Sequence, residues 1–286
     1  MGGSQIWLEP GEGMTVNDLL KATVIASAND ACVALGELVA GSEEGFVSLM
    51  NQRAKELGMN STTFKNCTGL DADGHITTAN DVAIMSGELI KHSLIKNYST
   101  VWMDSLRDGK SELVNTNKLV RFYKGTTGLK TGTTSIAKYC LSATAEREGL
   151  SLVAVVMAGD TSADRFEGAK KLLDYGFANY SFQSINAELK ETTAPISGGE
   201  KKTLRVKAEG GISLLCQKST KNDIKRETEW VKNLKAPVKK GQTVGYVNVY
   251  NGKENIGRIP ISADENVKKR TFLMSCGKIL NGIFKI

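Results

Sequence analysis

Apolar positions follow a helical rhythm through much of the first half of the chain. They alternate with polar ones in short runs near the end. In "TVNDLLKATVIAS" (15–27), Thr15 stands at an N-cap position with Asp18 three residues on, a near capping box that predicts a helix from Val16. A second helix is predicted from a cap at Ser42 to Gly58, with Phe46, Met50 and Leu57 on one face. "NSTTFKNCTGLDADGH" (60–75) is dense in Asn, Thr, Gly and Asp and reads as a loop. Thr78 with Asp81 opens a third helix, "DVAIMSGELIKHS" (81–93). Two stretches look extended: "QIWLE" (5–9), before a turn-like "PGEG", and "SELVNTNKLV" (111–120). "YCLSATAEREGLSLVAVVMAGD" (139–160) predicts a hairpin turning near Glu148 and Gly149, and "SADRFEGAKKLLDYGFANY" (162–180) a closing helix.

The character changes near residue 183. "KTLRVKAEG", "GISLLCQ", "TVGYVNVYNGK" and "ENIGRIPI" are short alternating runs separated by Gly, Lys and Asn, the pattern of a small all-β domain. In the last stretch, 264–286, Phe272, Leu273, Cys276, Ile279, Leu280 and Ile283 fall on one helical face among five basic and two acidic residues. A basic amphipathic helix of this kind lies in a membrane interface; the other reading is a terminal helix packed on the β domain. The expected division is therefore 1–182, 183–263 and a tail, 264–286.

Composition narrows the field modestly. A chain of 286 residues has room for about two domains. Its hydrophobic fraction of 41% and mean hydropathy of −0.21 describe a soluble protein with a real core. A net charge of +6 suits an anionic partner such as cell wall or membrane surface. Aromatics are only 6%, with no aromatic-interleaved basic stripe, so a nucleic-acid partner is not expected. No apolar run reaches a membrane span and no signal peptide is visible. The five cysteines (32, 67, 140, 216, 276) form no C-x-x-C pair, and two histidines, His75 and His92, leave little room for a zinc site or a Ser-His-Asp triad. No metal or cofactor is expected.

The candidate chemistry lies in two short motifs. Lys130-Thr131-Gly132 occurs once, just ahead of the hairpin, where its side chains would line a sheet edge. Ser27-Ala28-Asn29 breaks an apolar helical run at its end; Ser184-Ile185-Asn186 has the same S-x-N form. An S-x-N taken alone is as readily an ordinary helix terminus. S-x-N followed by K-T-G is the order used by serine acyl-transferases with S-x-x-K, S-x-N and K-T-G motifs. Beyond the motifs, 27–83 ("SANDACVALGELVAGSEEGFVSLMNQRAKELGMNSTTFKNCTGLDADGHITTANDVA") and 125–177 ("GTTGLKTGTTSIAKYCLSATAEREGLSLVAVVMAG" with "DRFEGAKKLLDYGF") closely resemble the low-molecular-weight penicillin-binding proteins, the D-alanyl-D-alanine carboxypeptidases. The β-rich second part and the tail fit the same family.

That resemblance implies an α+β fold: a transpeptidase/β-lactamase-like domain with an antiparallel sheet flanked by helices, then the small all-β domain and an amphipathic C-terminal helix. It also implies a reaction on a peptidoglycan stem peptide, in which a serine attacks the terminal D-Ala-D-Ala bond, D-alanine leaves and water releases the acyl-enzyme. β-Lactams would acylate the same serine. In these terms Lys130 supplies charge near the reacting serine and Ser27 relays the proton toward the leaving amine. Asn29 holds the substrate amide, and Thr131 and Thr133 hydrogen-bond its carboxylate beside Gly132. The Thr133 N–H is an oxyanion donor, and Arg165 matches the family's arginine at the carboxylate end, though as an isolated residue it could equally be a surface arginine. The implied location is extracytoplasmic, at the outer face of the membrane.

Two departures stand out. No S-x-x-K precedes Ser27; the matches are Ser93 to Lys96, Ser135 to Lys138 and Ser275 to Lys278, none in the family's order. The chain is thus expected to be an N-terminally truncated carboxypeptidase lacking its acylating serine and signal peptide. Thr68 also stands where some members have histidine. A non-catalytic wall-binding or scaffold protein is the alternative. A class A β-lactamase is a weaker one, since it has no use for a β-rich extension.

Overall fold

In the computed structural model of the protein, which describes residues 2–220, 222–272 and 274, the chain divides into two units, Met1–Ala178 and Asn179–Ile286. In the first, α1 (Val16–Lys21) begins at its cap: the Thr15 hydroxyl accepts from Asp18 N at 3.1 Å and donates to the Asp18 carboxylate at 2.8 Å. The helix does not run straight to Ser27. It widens into a π turn, Ala22–Ala26, and stops at Ser27, whose φ of 63° is left-handed. Ala22 and Ile25 of this turn are buried with Ile6, Leu19, Leu106 and Leu113, which anchors the turn from below.

α2 (Asn29–Ala40) follows, then α3 (Glu43–Glu56), where Ser42 Oγ accepts from Gly45 N at 3.0 Å. α4 (Ala79–Leu89) is capped by Thr78, whose hydroxyl accepts from Asp81 N at 3.1 Å. α5 (Lys96–Ser99) comes after a short 3₁₀ turn, and β1 (Met103–Leu106) pairs with β2 (Ser111–Val114).

Of the two stretches expected to be extended, one forms no strand and the other only a short one. "QIWLE" forms no strand, because the Ile6 and Leu8 N–H groups donate to the two Asp30 oxygens at 3.2 and 3.0 Å. A carboxylate in the first turn of α2 takes the place of a sheet partner. In 111–120 the strand ends at Val114. Asn115 Oδ1 then accepts from Asn117 N, and Asn117 Oδ1 from Leu119 N, and these side-chain turns bend the chain into α6 (Leu119–Phe122).

The central sheet is antiparallel, in the order β3 (Thr126–Thr134), β4 (Lys138–Arg147), β5 (Leu150–Gly159). Glu148 and Gly149, with φ of 51° and 78°, make the predicted two-residue turn between β4 and β5. Along β4, Leu141, Ala143 and Ala145 pack under α7 (Ser162–Asn179) against Phe166, Ala169 and Leu173. The alternate residue Ser142 shares a 2.7 Å hydrogen bond with Ser86 of α4. The sheet is therefore covered by α7 on one face and by α4 on the other.

The second unit is all-β. β6 (Tyr180–Asn186) pairs with β9 (Gly211–Gln217) in one sheet. In the other the order is β10 (Ile224–Trp230), β11 (Thr243–Asn251), β12 (Glu254–Ala263), β8 (Thr203–Ala208), β7 (Thr193–Pro195). Alternation places Leu204, Val206, Val247, Val249, Ile259 and Ile261 in one core. The tail predicted from residue 264 is not helical over 264–270. Val267 is buried and bridges Val238, while Lys269 bridges Gly199, so this segment is tied to the β domain. The remainder of the proposed amphipathic helix, from 275 onward, lies outside the described residues.

Candidate active site

The site is built on the free edge of β3. The K-T-G residues lie within this strand, which pairs only with β4 among the described residues. Lys130 Nζ donates to Ser27 Oγ at 2.7 Å and to the Thr131 carbonyl at 3.0 Å. The side chain is half-buried, but its ammonium end lies deep. Burial, with Arg165 close by as a lesser cause, pushes Lys130 down to about 8. Two motifs 103 residues apart thus meet through a lysine–hydroxyl contact.

Thr116, which sequence reasoning passed over, brackets the two motifs. Its N–H donates to Ile25 O at 3.2 Å, inside the π turn, and its hydroxyl shares a 2.6 Å hydrogen bond with that of Thr131. Asn117 Nδ2 adds a bond to Gly128 O at 3.0 Å. The Thr131 side chain therefore points at Thr116 and is buried, holding the strand, whereas Thr133 and Gly132 are exposed. The local signal for Thr116 is the "NTN" cluster, in which the flanking asparagines form side-chain turns rather than strand.

Arg165 is buried, at 7% exposure, which removes the surface reading. Its Nη1 donates to Gly132 O at 3.0 Å, Thr133 Oγ1 at 2.9 Å and Cys140 O at 3.3 Å. The guanidinium lies over the Tyr139 and Phe166 rings, 5.4 and 5.0 Å from their centroids. Burial lowers its pKa, and its Nε has no hydrogen-bond partner among the described residues. Lys130 and Arg165 are two neighbouring cations, neither in an ion pair with a carboxylate of the described chain.

Asn29 opens α2. Its Nδ2 donates to Gly2 O at 2.7 Å and its N–H to Ser4 O at 2.8 Å, so residues 2–4 lie across it. Gly3 suits this position: its φ of 79° is left-handed, and a Cβ would come 2.6 Å from Asn29 Nδ2 and displace that side chain. All seven site residues singled out from sequence line one groove of about 780 Å³. Thr68 and Asp71 line it too, from the 60–75 loop, which is tied to the far end of β3 where Asp71 Oδ2 accepts from Ser135 Oγ at 3.2 Å. A smaller hollow of about 300 Å³ beside α3 is almost wholly apolar and offers no comparable chemistry.

None of the other sequence matches among the described residues lines this groove, although Ser135 bonds Asp71 at its rim. Ser184 and Asn186 sit on β6 of the second unit, with Ile185 in its core. Ser93 heads the 3₁₀ turn, Ser135 is at the hairpin between β3 and β4, and neither lines the groove; Ser275 is outside the described residues. Among the described residues no group of three His, Cys, Asp or Glu could hold a metal. No helix there is long and apolar enough to cross a membrane.

A sheet-edge K-T-G, an S-x-N turn hydrogen-bonded to its lysine and a buried arginine beyond them thus share one groove. Comparison with known proteins shows the family. Residues 1–161 match the D-alanyl-D-alanine carboxypeptidase family, and residues 177–269 the C-terminal domain of penicillin-binding protein 5. The chain is 42% identical over 279 residues to the D-alanyl-D-alanine carboxypeptidase DacF of Bacillus subtilis, covering 96% of this chain and 72% of that one. Penicillin-binding protein 5 from Haemophilus influenzae superposes with a TM-score of 0.66 at 28% identity, covering 93% of this chain and 78% of the other. Penicillin-binding protein D2 from Listeria monocytogenes, in its cefotaxime-bound form, superposes with a TM-score of 0.54 at 34% identity, over 61% and 75%. The chain belongs to the D-alanyl-D-alanine carboxypeptidases of the low-molecular-weight penicillin-binding protein family.

Proposed function

We propose that the groove receives the D-Ala-D-Ala end of a peptidoglycan stem peptide along the edge of β3. The terminal carboxylate lies toward Thr133 and Arg165, and the scissile carbonyl toward Ser27 and Lys130. The observation that carries this reading is the Lys130–Ser27 contact of 2.7 Å beside a buried arginine with no carboxylate partner among the described residues. With Lys130 pushed down to about 8, the Ser27–Lys130 pair can pass a proton to the leaving amine near neutral pH. Asn29 has to exchange its Gly2 partner for the substrate amide. β-Lactams occupy the same groove. The attacking serine belongs to an S-x-x-K ahead of Ser27, and these 286 residues contain none in that position. Action is extracytoplasmic, with the basic, apolar sequence after Arg270 as a membrane-associating tail.

The test is calorimetric titration with a peptide ending in D-Ala-D-Ala and with its C-terminal amide. The free carboxylate is expected to bind at least tenfold more tightly; equal affinities would remove Arg165 and Thr133 from substrate recognition. Incubation with penicillin should leave the intact mass unchanged. A stoichiometric adduct would overturn the assignment of the nucleophile, and peptide mapping would name the serine that took over. The second reading is a non-catalytic wall-binding role, in which the peptide is bound and never cleaved even with an S-x-x-K segment supplied.

A further inference from the structure

Charge is unevenly divided between the two units. Residues 179–286 hold 20 lysines and arginines against 10 aspartates and glutamates, whereas 1–178 hold 17 against 21. Much of the excess gathers where three segments of the second unit run side by side. Ser197 bridges Lys235, Gly199 bridges Lys269 and Val238 bridges Val267. Arg270 N donates to Gly198 O at 2.9 Å and Glu200 N to Lys268 O at 3.0 Å. Of the nearby carboxylates, Glu265 pairs with Lys201 and Arg205 and Asp264 with Lys240, while Glu200 accepts from the Lys268 backbone N–H at 3.4 Å and offsets one of the remaining charges. Lys202, Lys235, Lys239, Lys268 and Lys269 are left exposed, without an ion-pair partner among the described residues. Directly after them, Phe272 is 84% exposed and Met274 48%.

Exposed apolar side chains that directly follow, in the chain, a segment bridged to others rich in exposed lysines match the boundary between headgroups and acyl chains in an anionic bilayer. A soluble polyanion would satisfy the lysines but offers nothing to Phe272 and Met274. We propose that this face of the β domain is itself a docking surface for anionic phospholipid headgroups, acting beside the tail. The inference deepens the membrane-facing reading above and rests on it. Lys202, Lys235 and Lys239 lie far from the tail in sequence, so the two contributions can be separated.

The experiment measures partitioning of the full chain onto phosphatidylglycerol–phosphatidylcholine vesicles by sedimentation. It compares Lys202→Gln/Lys235→Gln/Lys239→Gln, the matching triple arginine variant, and Ile279→Asp/Ile283→Asp, which disrupts the apolar face of the tail. Each lysine near an anionic surface strengthens binding roughly fivefold, so the triple glutamine variant should partition on the order of a hundredfold more weakly. The arginine variant should bind like the parent, all three should melt alike, and salt should weaken the parent. Binding of the glutamine variant within a few-fold of the parent overturns the proposal. If Ile279→Asp/Ile283→Asp alone then abolishes binding, the tail reading survives without it. The reverse pattern, release by the glutamine substitutions and none by the aspartates, supports the patch and sinks the tail. Long-chain polyphosphate bound as tightly as vesicles, and lost equally in the glutamine variant, would overturn the lipid assignment.

Discussion

Replacing Lys130 with methionine should stabilise the fold while destroying the site. The charged lysine is held against its burial and against Arg165, which pushes it from 10.5 to about 8. At 1.36 kcal/mol per unit, keeping it protonated at pH 7 costs the folded state about 3 kcal/mol. Methionine removes that cost and fills a similar volume. It also removes the bonds to Ser27 Oγ and the Thr131 carbonyl, worth about 1 kcal/mol each. The variant should therefore be more stable by about 1 kcal/mol at pH 7. The pH dependence is the sharper test. Between about 8 and 10.5 the unfolded chain keeps a proton on this lysine that the folded chain has released, so native stability rises with pH in that window. The advantage of Lys130→Met should shrink by about 3 kcal/mol from pH 7 to 10.5, and reverse sign once the lysine is neutral. Urea denaturation of both proteins, followed by circular dichroism across that range, measures the difference with all other titrations common to both. A difference that stays constant with pH would refute the claim that this ammonium is desolvated.

Further outcomes can be checked alongside. Arg165→Gln should weaken a peptide ending in a free carboxylate by on the order of tenfold to a hundredfold, and leave its amide almost untouched, as read by calorimetry. Asn117→Ala should cost about 2–4 kcal/mol in urea denaturation, because the Gly128 carbonyl and the Leu119 N–H both lose a buried partner. Leu173→Ala, under the sheet, should cost about 2–5 kcal/mol by the same measurement and leave peptide affinity unchanged after refolding.

Elements whose ends are decided within one turn were legible from sequence. Thr15, Ser42 and Thr78 each cap the helix they head, and Glu148-Gly149 turns the hairpin, because these signals act over three or four residues. "QIWLE" misled because its partner is the side chain of Asp30, more than 20 residues on, and no local pattern reports that. "NTN" misleads because Asn115 and Asn117 continue an extended-looking run while their side chains bond the backbone two residues on and end the strand. Lys130 and Ser27 were legible because the chemistry fixes residue type and order. Thr116 was not: it earns its place only through contacts to Ile25 and Thr131, which exist once the fold has brought them together. The burial of Arg165 likewise follows from the packing of α7 on the hairpin, not from its neighbours in the chain.

The left-handed backbone at Ser27 has an evolutionary consequence. A non-glycine residue at φ 63° carries strain of about 1 kcal/mol that glycine would relieve. Folding alone therefore favours glycine at this position, and only the hydroxyl that meets Lys130 argues for serine. In a library of variants selected for soluble expression without any demand for turnover, position 27 should drift first, toward glycine and then asparagine, while buried Ile25 two residues earlier stays put. The rate of that drift, read by deep sequencing, would measure how strongly function opposes the preference of the backbone.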